Sequence, residues 1–152
     1  MCNQENKDSI SVEEFAKILE TKTDSIDKFV NFIEGPDVPE EYKEMHHKFI
    51  LSMFNFEKKA LYAYKTIHKA VTAQNVAILA SDIRQFVQQK YGKDVVLLVE
   101  SNTTSAITAY EEALNEAREA VICFIMAYDN VIKTREQIPA ELYHVFIKMA
   151  LR

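Results

Sequence analysis

The chain has 152 residues, with 18 Lys and Arg against 23 Asp and Glu, a formal net charge of −5, and 48% hydrophobic and 27% charged residues. That composition excludes a disordered or collagen-like chain, and the length suits one domain able to bury a core. The acidic balance leaves no electrostatic footprint for nucleic-acid binding, and only two Gly and three Pro favour a few long helices over a turn-rich β-sandwich or barrel.

Residues 1–10 read as a polar tail, and 11–152 as one helical domain. Ser11-Val12-Glu13-Glu14 forms a capping box that opens an apolar pattern at Phe15, Leu19, Ile26, Phe29 and Ile33. A first helix is expected from there to Gly35-Pro36, with a kink or break in Thr21-Lys22-Thr23-Asp24-Ser25, a run that is poor helix material.

Pro39, tolerated in a first helical turn, starts a second helix, and Glu40, Glu41 and Glu44 complement the positive end of its dipole. Its seam runs Tyr42, His46, Phe49, Met53, Phe56, Ala60, Ala63, Ile67, Ala70 at steps of four and three, which argues a long helix packed nearly antiparallel in a bundle. Thr72-Ala73-Gln74-Asn75 is the expected turn. A third helix then shows Val76, Leu79, Ile83, Phe86 and Val87. Its stripe continues through Gly92 to Val95 and Leu98, and matching the length of its partner carries it to Glu100. Ser101-Asn102-Thr103-Thr104, rich in N-cap residues, is the next turn. The fourth helix carries Ile107, Tyr110, Leu114, Ala117, Val121, Phe124, Tyr128 and Val131 and stops before Pro139. A last helix, 140–151, has Leu142, Phe146 and Met149 on one face. The expected architecture is all-α: an up-down-up-down antiparallel four-helix bundle with a short fifth helix across one end.

The most chemical feature is a repeated Glu-x-x-His, Glu44 with His47 and Glu141 with His144. Glu and His three apart share a helix face. Two such pairs with one Glu from each of two further helices build the di-metal carboxylate site of ferritin-like bundles. Against that reading, both pairs sit in first turns of helices, and the seam position beside the first is His46, which reads as a half-buried residue bonding a neighbour. Cys123, inside Val121-Ile122-Cys123-Phe124-Ile125, reads as a buried and inert thiol. Gly-x-Ser-x-Gly is missing, and Gly35 and Gly92 stand alone, so neither nucleophilic catalysis nor a phosphate loop is indicated and no cofactor is implied.

Phe54, Tyr62 and Tyr64 broaden the apolar face of the second helix beyond one seam, and with Leu142, Phe146 and Met149 they are the candidate interaction surface. A small apolar ligand in a cavity beside Ala60, Ala63 and Ala117 is a further expectation.

No run of about 18 apolar residues exists to span a membrane. As written, the chain reads as cytoplasmic. Yet the start Met1-Cys2-Asn3-Gln4-Glu5-Asn6-Lys7-Asp8 has a Cys opening a polar tether, and Pro39-Glu40-Glu41-Tyr42-Lys43-Glu44-Met45-His46-His47-Lys48 is a Pro-opened acidic helix. Together these stretches, about a third of the chain, resemble small helical lipoproteins of Gram-positive bacteria. The resemblance implies a lipid-tethered, extracytoplasmic helical bundle anchored through Cys2, with no catalytic residues to carry over; the chain departs from it in lacking a signal peptide and in its long apolar fourth helix. The functional expectation is a non-enzymatic helical bundle acting by binding a protein partner or a second copy of itself. The alternative is the ferritin-like metalloprotein on Glu44, His47, Glu141 and His144.

Overall fold

The computed structural model describes residues 10–150, which are almost entirely helical with no strand among them: α1 (Val12–Lys22), α2 (Ile26–Ile33), α3 (Glu40–Tyr91), α4 (Lys93–Glu136) and α5 (Ala140–Ala150). The chain divides into two compact units, Met1–Asn55 with Tyr128–Arg152, and Phe56–Ala127.

The first unit holds the large side chains of the core. Ser11 caps α1, its hydroxyl accepting from the Glu14 N–H at 3.2 Å. The first expected helix does break where its middle is weak: Thr23, Asp24 and Ser25 separate α1 from α2, and the Ser25 hydroxyl caps the new start by accepting from the Lys28 N–H. Thr23 donates its hydroxyl back to the Leu19 carbonyl, ending α1. Pro39 stands immediately before α3, and its carbonyl accepts from the N–H groups of Tyr42 and Lys43. α1 packs along α5, and α2 touches both. Phe15, Leu19, Phe29, Ile33, Phe49, Leu142, Val145 and Phe146 are fully buried there. Phe15 stacks on Tyr42 at 4.5 Å, and the Tyr42 hydroxyl donates to the Ile10 carbonyl at 3.1 Å.

The second unit is a helical hairpin, and here the sequence expectation needs correcting. Where three long helices and two polar turns were expected, two long helices stand. Residues 72–75 lie inside α3 and 101–104 inside α4. The hydroxyls that resembled turn and cap signals bond one turn back on their own helix instead, Thr72 to the His68 carbonyl and Thr103 to the Val99 carbonyl, both at 3.0 Å. The helix expected to pass through Gly92 ends at Tyr91. Gly92 takes φ +87°, in the left-handed region, and its N–H closes α3 on the Gln88 carbonyl at 3.1 Å.

α3 and α4 then run back along each other, as Arg84–Glu100 at 2.6 Å, Lys69–Glu116 at 3.2 Å and Phe56–Phe124 at 5.2 Å between ring centroids show. Their seam is built of small residues apart from Tyr110. On α3 it reads Ala63, Thr66, Ala70, Ala73, Ala77, Ala80, and on α4 Thr103, Ala106, Tyr110, Ala113, Ala117, Ala120, each at alternating steps of three and four. All of these are buried or half-buried, and Ala70, Ala73, Ala113 and Ala117 pack as one cluster. Small side chains let the helices approach at the close end of the usual range. The seam expected on the second helix holds at Tyr42, His46, Phe49, Ala63 and Ala70, and that on the fourth at Ala117, all buried; it fails at Ile67, Val76, Leu79, Ile83, Phe86 and Ile107, which are exposed.

Candidate functional site

Two places in the molecule present chemistry or surface beyond what packing requires. The first lies in the unit containing the termini. His46 is 8% exposed, with the rings of Phe29 and Phe146 edge-on to it, each at 5.1 Å. Its Nδ1 is buried without a hydrogen-bond partner. Burial among these rings, aided by the neighbouring His47, pushes its pKa down to about 4, so the ring is neutral at pH 7. The expectation that this histidine bonds a neighbouring carbonyl or carboxylate is therefore corrected at Nδ1.

The residues of the Glu-x-x-His pairs lie outside this aromatic box. Glu44, His47, Glu141 and His144 are all exposed. Glu44 lines a cleft of about 190 Å³ together with Glu41, Met45, Lys48, Thr134, Gln137 and Ile138. The His144 ring lies 6.2 Å from that of Tyr143. Among the described residues, no three of His, Cys, Asp and Glu gather closely enough to hold a metal ion. Cys2 lies outside the described residues. Leu142, Phe146 and Met149, expected to offer a surface, are buried instead, because α1 and α2 pack over α5 and turn its apolar face into core.

The second place is the outer surface of the hairpin. In an antiparallel pair, the positions that follow the second seam residue of each heptad come together on one flank, and those that precede the first come together on the other. The second of these flanks is charged: the Glu116 carboxylate accepts from Lys69 Nζ and from the Tyr62 hydroxyl, each at 3.2 Å. The bonds from Lys69 and Tyr62 hold the Glu116 carboxyl below its ordinary pKa, and the bond to the Glu116 carboxylate raises that of Tyr62. Lys65, Glu112 and Glu119 extend the same flank. Cys123 is exposed on it rather than buried, because the seam that buries Ala120 and Ala127 turns this position outward.

The opposite flank is apolar. It carries Ala60, Tyr64, Ile67, Val71 and Ile78 from α3, and Ile107, Leu114, Val121 and Ile125 from α4. Tyr64 is 70% exposed, and Ile67, Val71, Ile78, Ile107 and Ile125 are exposed as well. An open groove of about 370 Å³ lies at one end, lined by Gln74, Ala77, Ile78, Ser81, Asp82 and Tyr110, where the small seam residues leave space between the helices. Nearer the hairpin turn, α3 moves its exposed apolar residues to the other side, with Val76, Leu79, Ile83 and Phe86. Of the surface residues expected from sequence, Phe54, Tyr62 and Tyr64 are exposed. Tyr62 is held on the charged flank by Glu116, and Tyr64 belongs to the apolar one.

The signal that locates the apolar flank was present in the sequence as a second heptad stripe beside the alanines, but it reads as core unless the alanine stripe is recognised first. No helix among the described residues is long and apolar enough to cross a membrane. Comparison with protein-family models, with curated proteins and with solved structures finds no match.

Proposed function

We propose that the chain is a non-enzymatic association module that binds a protein surface through the apolar flank of the α3–α4 hairpin. The observation that carries this reading is the inversion of the hairpin: alanines occupy the seam while Tyr64, Ile67, Val71, Ile78 and Ile125 face outward. Monomeric soluble proteins scatter exposed apolar residues singly and rarely line them up along one face. A two-helix unit with an apolar outer flank is half of a helical bundle, and bundles bury such faces against further helices. The four-helix arrangement expected from the sequence is, on this reading, completed by helices the hairpin itself does not supply.

The experiment is site-specific photo-crosslinking in cells that express the chain. A photoreactive phenylalanine analogue placed at Tyr64, on the apolar flank, is expected to give a discrete protein adduct. The same group at Lys65, on the charged flank, is expected to give none. Equal labelling from both positions, or no adduct from position 64, overturns the reading.

A further inference from the structure

We infer that the partner on the apolar flank is a second copy of this chain, laid face to face about a two-fold axis perpendicular to the helices and level with Leu114. This inference rests on the association reading and adds the identity and geometry of the partner.

Three observations carry it. The first is charge. Only two ionised side chains interrupt the flank between Ala60 and Ile78 on α3 and between Ile107 and Ile125 on α4. They are Glu111 and Arg118, exposed, seven residues apart on the same stripe of α4, and opposite in sign. Among the described residues neither forms an ion pair within the chain. A two-fold axis midway between them lays α4 antiparallel on α4 of the second copy and sets each Glu111 opposite the other chain's Arg118. An isologous interface must be self-complementary in this way, so both charges are neutralised at once.

The second is shape. The Lys69–Glu116 pair places this axis level with the middle of the α3 stripe. The same rotation then sets Ile67 against the second copy's Val71, small Ala60 against its Ile78, and the protruding Tyr64 at the level of the groove beside Gln74 and Ile78.

The third is area. Half-exposed side chains of this size each present on the order of 100 Å². The six exposed side chains of the flank therefore offer on the order of 600 Å², the lower end of the share one partner contributes to a standard specific interface.

The test is sedimentation or light-scattering mass on the full chain across a concentration series, with helicity checked by circular dichroism. A species of twice 17.5 kDa is expected. Glu111→Arg and Arg118→Glu each place like charges across the axis and are expected to raise the dimer dissociation constant about tenfold. The double reversal Glu111→Arg/Arg118→Glu is expected to restore it. Ile67→Glu should abolish the dimer while keeping the helical spectrum, since the position is exposed in the single chain. Phe86→Glu, off the flank, should leave the mass unchanged. A 17.5 kDa species at every concentration overturns the second copy as partner, while an adduct of other mass from position 64 would preserve the association reading. A dimer that survives Ile67→Glu is held elsewhere and overturns the second copy as the partner on this flank. A dimer that Ile67→Glu dissolves but that the double reversal fails to restore overturns the antiparallel geometry.

Discussion

The hydroxyl of Thr103 in α4 lies 3.5 Å from the main-chain carbonyl oxygen of Ala80 in α3. A side chain of one helix reaches the backbone of the other only where little stands between them, and the surrounding seam positions are alanines. Enlarging one of them should force the helices apart. Ala70→Leu or Ala113→Leu is expected to destabilise the protein by about 1–3 kcal/mol, lowering the thermal midpoint by roughly 2–10 °C. Circular dichroism melting checks this, and an unchanged midpoint would mean that the seam has room to spare.

The reversal at Gly92 makes a second case. A Cβ there meets no heavy atom within 4 Å, so a substitution would be opposed by the backbone alone, at φ +87°. Gly92→Ala should cost about 1–2 kcal/mol. Gly92→Asn should cost less, because Asn tolerates the left-handed region. Denaturant titration of both variants distinguishes this from a steric effect, which would penalise the larger Asn more.

His46 predicts a pH dependence of stability. Its folded pKa of about 4 is below the ordinary 6.5, so between these values the unfolded chain binds the proton and the folded chain does not. Stability from this site is therefore full above about pH 6.5 and is lost as pH falls through about 4, by roughly 3 kcal/mol in all. His46→Phe should flatten this part of the curve, and the wild-type minus variant difference isolates it from carboxylates titrating in the same range. A parallel pair of curves between pH 4 and 6.5 would refute it.

At the start of α1, Ser11→Ala removes the acceptor for the Glu14 N–H and should cost about 1 kcal/mol. Ser11→Asp should hold most of it. Urea midpoints of the two variants provide the comparison.

Helix starts were the most legible part of the sequence. The Ser11 cap, the weak run before Ser25 and the Pro39 start all act through local chemistry, and each is found where that chemistry puts it. The apolar face of α5, Leu142, Phe146 and Met149, was legible as a stripe, but its burial under α1 and α2 was not, because the stripe reads the same whether it meets core or a partner. The interior of the long helices was not. Thr72 and Thr103 carry the same hydroxyl whether they end a helix or lean back on it, and only the surrounding packing selects between the two. The seam was misplaced for a different reason. Large apolar residues dominate any reading of periodicity, whereas close helix approach rewards the absence of side chain, so beyond Ala70 the expected stripe follows Val76, Leu79 and Ile83 while the observed one follows Ala73, Ala77 and Ala80. The candidate metal ligands were found as a pattern along the chain, but Glu44, His47, Glu141 and His144 are exposed, and no third ligand joins either pair among the described residues.

The alanine seam also bears on how the hairpin finds its alignment. Sliding α4 along α3 by one heptad would lay alanine on alanine again over most of the seam, so these contacts distinguish poorly between one register and the next. What breaks the degeneracy is fixed at a few points: the reversal at Gly92, the Arg84–Glu100 pair eight residues to either side of it, and Lys69 with Tyr62 on Glu116. The hairpin thus separates holding from aligning, with the alanines providing closeness and a handful of polar groups near the turn and on the charged flank determining which closeness is the native one.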